Sequence, residues 1–199
     1  VLLILDDVKD VTPIVTSEQK RSALIQFQQF QQTLREKNAA AVKAWFVFPL
    51  EGSPWDFIPY DESKPSLPDE LTEAVFDNNV PLIIAGLQRL TELEVNPETL
   101  TIKTHRINAL SAQEQKRHYL PGGDDGTFYY EENGQRHTVT AICDTVAEGY
   151  FEDGALILSI GTSENAQLPD HSGYCEGASL YTFKLVDGKL RLVGSITAG

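Results

Sequence analysis

The 199-residue chain has no methionine, only two cysteines, and 16 lysines and arginines against 29 aspartates and glutamates. Each shortage excludes something. A net charge of −13 argues against a polyanionic nucleic acid or an anionic membrane surface as main partner, and favours a basic protein or cationic ligand. The opening apolar run, Val1 to Leu5, is far too short to span a bilayer, so no transmembrane segment is expected. A chain that begins at Val1 without methionine reads as processed or truncated, and export to the periplasm or medium is expected. Two cysteines, Cys143 and Cys175, permit one intramolecular disulfide in an oxidising compartment; a pair of buried reduced thiols is the alternative.

Motifs are also missing. There is no G-x-G-x-x-G, no G-x-x-x-x-G-K and no G-x-S-x-G, so neither a dinucleotide, a cradled phosphate nor a nucleophile elbow is expected. His105, His118, His137 and His171 show no H-E-x-x-H spacing, and the cysteines form no C-x-x-C; no metal or other cofactor is expected. Asp124 and Asp125 lack the alternating acidic ladder of a calcium loop. Cys175 follows His171 by four residues, but Glu176 beside it would raise the thiol pKa, which disfavours a nucleophile.

What is present is enough apolar residue, 41%, to bury a core as one domain over residues 1–199. It divides into an arm (1–16), a helical half (17–94) and a mainly antiparallel half (99–198). Thr16 and Gln19 have capping-box spacing, and Ala23, Phe27, Phe30 and Leu34 then recur on one helical face. Asn38 reads as the N-cap of a short helix carrying Val42, Trp45 and Phe46, stopped by Pro49. A further helix is expected from Ser66 through Asp69 and Glu70, with Pro68 in its first turn. Val80–Leu93 continues helically, with Leu82, Leu87, Leu90 and Leu93 toward the core.

The period then changes to that of strands. Leu100, Ile102 and His105 fit one short strand, and Ser111 with Glu114 forms a second capping box. Asn133-Gly134 and Asp187-Gly188 are hairpin turns. The first pairs Tyr130 with His137 and Phe128 with Val139, in phase with Ala141 and Cys143. The second pairs Leu185 with Leu190, Phe183 with Leu192 and Tyr181 with Gly194. Ala155–Ile160 is apolar on both parities, as for a central strand. The fold class is therefore α+β: N-terminal helices packed on a curved antiparallel sheet of four to six strands.

Two groups of residues are candidate sites. Residues 51–100 hold eleven acids but only Lys64 and Arg89 as bases, a local net charge of −9. Within them Trp55, Asp56, Phe57, Tyr60, Asp61 and Glu62 combine aromatic anchors with a charged rim, the composition of a protein-binding hot spot. The competing reading is that Trp55 and Phe57 cover the core. The second group is a cleft in the concave face of the sheet, into which Asp144, Glu148, Tyr150, Tyr174 and Glu176 would project. Paired carboxylates there could work as acid and base, although no spacing singles out a pair.

Several stretches together resemble exported bacterial proteins of the NTF2-like (cystatin-like) superfamily. They are Phe27 to Phe30 on the long helix, Lys37 to Val42, Phe48-Pro49-Leu50, Phe76 to Asn79 ahead of an apolar helix, and the hairpin Phe183 to Leu192. The resemblance covers residues 17–197 and implies a helix-filled cone of curved sheet. Residues 51–66 and the segment around Cys175 depart from the pattern. The superfamily includes enzymes, transport factors and non-catalytic modules, so the resemblance assigns no catalytic residue. The expected function is a non-catalytic, extracytoplasmic protein-binding module, such as an acidic inhibitor or immunity-type protein. The alternative is a small-molecule binding protein or a hydrolase or isomerase using the sheet's concave pocket.

Overall fold

The computed structural model describes residues 10–52, 57–59, 61–66, 68–123, 126–140, 142–168 and 175–198. Trp55, Asp56, Tyr60, Asp124, Asp125, Ala141, His171 and Tyr174 lie outside them. The elements run β1 (Val11–Thr12), α1 (Ser17–Glu36), α2 (Ala39–Lys43), β2 (Phe46–Glu51), α3 (Glu73–Asn78) and α4 (Val80–Leu87). Three short strands follow, β3 (Glu94–Asn96), β4 (Thr101–Lys103) and β5 (His105–Ile107), then β6 (Leu120–Pro121), β7 (Thr127–Glu132) and β8 (Gln135–Thr140). The long strands β9 (Asp144–Glu152), β10 (Ala155–Ser163), β11 (Ala178–Val186) and β12 (Lys189–Ala198) close the chain.

Helix α1 starts where its capping box predicts. Thr16 Oγ1 accepts from the Gln19 N–H, and Gln19 Oε1 accepts back from the Thr16 N–H, which satisfies two otherwise orphan donors. Ala23, Phe27, Phe30 and Leu34 are each 0% exposed. Phe27 and Phe30 meet Phe183 of β11 edge-on, with centroids 5.7 and 5.4 Å apart. Each such pair adds about 0.5–1.5 kcal/mol to its area burial. Polar residues fasten the same helix. Gln31 is buried and donates to the Leu90 and Leu93 carbonyls. Gln26 accepts from the Leu190 N–H at 2.7 Å and so ties α1 to the last hairpin.

The main sheet has seven strands in the order β2-β12-β11-β10-β9-β5, with β1 also pairing β11. It is mixed rather than wholly antiparallel, because β2 runs parallel to β12. The sequence reading put Phe46 on the second helix, stopped by Pro49; instead α2 ends at Lys43 and Pro49 lies inside β2. A proline is tolerated there because β2 is the edge strand and its missing N–H breaks no ladder. Gly52 ends that strand so close to β12 that a Cβ would collide with the Ser195 carbonyl.

Four further expectations are corrected. No helix begins at Ser66: Thr72 caps α3 instead, and Leu71 first bridges to Leu50. Leu82 is 43% exposed, while Ile83, Ile84, Leu87, Leu90 and Leu93 are buried. Residues 100–105 form two strands, not one, split by different partners: β4 pairs β3 and β5 pairs β9. Tyr181 faces Ser195 rather than Gly194, because a bulge opposite Thr182 and Phe183 shifts the register by one. The other pairings of both hairpins stand as read, Tyr130 with His137 and Leu185 with Leu190 among them.

The β7–β8 hairpin does not join the main sheet. It forms a second sheet with β6, over a small core of Leu110, Tyr119, Phe128 and Leu168. A third sheet is the β3–β4 pair. Among the described residues no helix is long and apolar enough to cross a membrane.

Candidate functional site

Strand alternation gives the main sheet two unlike faces. Leu156, Leu158, Tyr181, Phe183, Leu190 and Leu192 point to the helices and are buried. Val146, Ile157, Leu180 and Thr182 point the other way and are half-buried, while Tyr150 and Ile196 are 38% and 51% exposed. No described element covers this outer face.

At its β5–β9–β10 end the outer face sinks into a hollow of about 250 Å³ lined by Arg106, Val146, Glu148, Ser159, Gly161, Ser163 and Ala178. Small residues make it. Gly161 faces Ala178, and a Cβ at Gly161 would press on the Gly177 carbonyl. A second hollow of about 330 Å³, bordered by Thr145, Ile160, Thr162, Ser179 and Thr197, shares Gly161, Gly177 and Ala178 with the first.

Asp144 closes this end. Its side chain is 3% exposed, yet every approach to it is a donor. Arg106 Nε donates to Oδ2 at 2.8 Å, and the Ala109 N–H and Asn165 Nδ2 donate to Oδ1 at 2.9 and 2.7 Å. Burial alone would raise its pKa; these hydrogen bonds and the guanidinium charge outweigh burial and hold the carboxyl below its usual range. Arg106 also reaches the Glu164 carbonyl at 2.8 Å, and Asn165 binds Asn108 Oδ1 at 2.8 Å. Next to this network Cys143 and Cys175 are joined by a disulfide, closing a loop over a separation of 32 residues.

The expected cleft residues therefore divide. Asp144 is an internal anchor with both oxygens engaged. Glu148 lines the hollow, and Tyr150 stands one pair further along the same strand face. Burial and the carboxylates of Glu152 and Glu148 push the Tyr150 phenol upward. Asp144 and Glu148 lie four residues apart on β9, about 13 Å between Cα atoms, so they do not meet as an acid–base pair. Glu176 is exposed beside Cys175. Arg106, Ser159, Ser163 and Asn165 complete the constellation and had not been singled out. Arg106 is on β5, Ser159 and Ser163 are on β10 and Asn165 follows that strand, and no local spacing marks them. Among the described residues no three His, Cys, Asp or Glu side chains gather as metal ligands.

In the acidic stretch, Phe57 belongs to the core. It is 7% exposed, 5.9 Å from the Tyr181 ring, and packs near Gly86 of α4. Ile58 is buried beside it, and Leu71 is held by its carbonyl to the Leu50 N–H at 2.9 Å. Asp61 bonds Ser63 and lies 3.5 Å from Lys64, while Glu62, Asp69 and Glu70 are exposed with no ion pair among the described residues. Lys43 is shared by Glu73 and Asp77, each at 2.8 Å.

No family model, curated protein or solved structure matches the chain.

Proposed function

We propose that this is a non-catalytic protein-binding module that takes a basic partner on its acidic 57–71 segment, in the manner of an acidic inhibitor or immunity-type protein. The observation that carries the reading is the mounting of that segment. Phe57 and Ile58 sink into the core at one end and Leu71 at the other, so the acids between them are displayed from fixed anchors. Glu62, Asp69 and Glu70 are exposed, and Asp61 beside them is half-buried. A segment anchored at both ends loses less entropy on docking than a free one, and its acids steer a cationic partner from a distance. The disulfide supports an extracytoplasmic setting. The long helix α1 against the main sheet supports the NTF2-like reading, which belongs to this proposal.

Affinity capture tests it. The wild-type chain should retain a basic protein from its native compartment at low ionic strength and release it as salt screens the contact. The variant Asp61→Asn/Glu62→Gln/Asp69→Asn/Glu70→Gln should retain at least about tenfold less, a difference of the size that close charge pairs supply. Equal capture by both chains, or none by either, refutes the reading.

One observation favours a second reading. The hollow beside Glu148 sets a guanidinium, a carboxylate and hydroxyls around one small space, as a polar small-molecule site would. Retention of a small polar metabolite on the folded chain, lost in Glu148→Gln, would support it; no metabolite retained by the wild type would remove it.

A further inference from the structure

We propose that the outer face of the main sheet is a self-association surface, on which a second copy of this chain packs about a twofold axis parallel to the strands and lying between β10 and β11. This goes beyond the docking of a basic partner and uses the opposite side of the molecule from the acidic segment's anchors.

The registers lay the face out in rows. Glu148, Ser159, Leu180 and Ile196 form one, Tyr150, Ile157, Thr182 and Gly194 the next. The ladders continue to Glu152 with Ala155 and to Lys184 with Arg191. Two acids and two bases occupy these three rows, so the face is neutral in a chain of net charge −13. Two such chains repel each other across most of their surface, and a neutral face is where they approach at least cost.

The charges are also arranged for a copy of themselves. Lys184 and Arg191 are directly opposite on β11 and β12, an unfavourable like-charge pair. Neither has a carboxylate partner among the described residues. The proposed rotation exchanges β9 with β12 and β10 with β11 while preserving rows. It sets Glu152 of one copy against Arg191 of the other, twice, as an isologous interface requires. It also sets Tyr150 over the bare backbone of Gly194, and brings the exposed Ile196 over the hollow bounded by Val146, Glu148, Ser159 and Gly161. Aligned sheets cross at about 30°, so the match is closest near the axis.

The area suffices. Four strands of nine residues cover about 19 Å by 30 Å. A pair of faces would bury on the order of 1,100 Å², above the ~1,000 Å² that specific interfaces need.

Sedimentation velocity on the full chain, from low to high micromolar concentration, decides the matter through a charge exchange. The wild type should dimerise reversibly. Glu152→Arg and Arg191→Glu should each weaken the dimer at least about tenfold. The double variant Glu152→Arg/Arg191→Glu should recover wild-type affinity, because both contacts are rebuilt with signs reversed. A wild type that stays monomeric throughout overturns the proposal. So does a folded double variant no tighter than either single one. Should a charge variant fail to fold, Ile196→Lys at its half-exposed position replaces it: loss of the dimer supports the assignment, and an undiminished dimer refutes it.

Discussion

Burial forces a carboxyl either to neutralise or to be bound, and Asp144 is bound. Three donors from Arg106, Ala109 and Asn165 converge on it, so removing it strands the buried Asn165 amide and two part-buried donors rather than one contact. Asp144→Ala should cost about 2–4 kcal/mol, as breaking a buried charged network does, read as a shift in urea midpoint. The pH dependence has a definite sign. The folded carboxyl titrates below its unfolded value of about 3.9, so its contribution is complete above that value and is lost as pH falls through the folded one. The urea midpoint of the wild type should therefore fall more steeply below about pH 4 than that of Asp144→Asn. Phe57 offers a second check. Its ring fills space between β11 and α4, so Phe57→Ala should cost about 3–4 kcal/mol in stability. An unchanged melting point would return Phe57 to the surface role its neighbours first suggested.

The Cys143–Cys175 bond ties the entrance of β9 to the approach of β11. Closing a loop of that length removes about 3–4 kcal/mol of unfolded-state entropy. Cys143→Ser/Cys175→Ser should lose a comparable amount by equilibrium denaturation, and reduction should do the same to the wild type. What could be read in advance follows element type. Local devices were legible: both capping boxes, the Asn133-Gly134 and Asp187-Gly188 turns, and the buried stripe of α1 all depend on residues a few positions apart. Asp153-Gly154 carries the same turn chemistry, with φ of 50° and 74°, and makes the β9–β10 hairpin, a local signal that the sequence reading did not use. Strand β2 was lost because Val42, Trp45 and Phe46 also fit helical spacing. Its pairing partner, β12, lies some 140 residues on, beyond any local pattern. The candidate hollow was half legible for the same reason. Glu148 was visible in the alternation along β9, whereas Arg106, Ser159 and Ser163 reach the hollow only through the cross-strand register.

At the scale of the molecule, the charge is divided between surfaces. The acid excess sits on residues 51–100, where Lys43 already satisfies Glu73 and Asp77 and leaves the 57–71 segment to act outward. The outer face of the sheet is balanced in charge, with Ile157 and Leu180 beside Ser159 and Thr182 at its centre. Two surfaces of unlike charge suit unlike partners: on the proposals above, a basic protein on one and a second copy on the other. They should respond independently to substitution, since contacts with no shared residues add. The most direct measurement is therefore affinity capture at low salt with three chains side by side: wild type, the four-fold neutralised acidic segment, and Arg191→Glu. The account predicts that wild type and Arg191→Glu hold the same basic protein and that the neutralised chain, still folded by circular dichroism, does not. Capture undiminished in the neutralised chain, or no protein captured by any of the three, would contradict it.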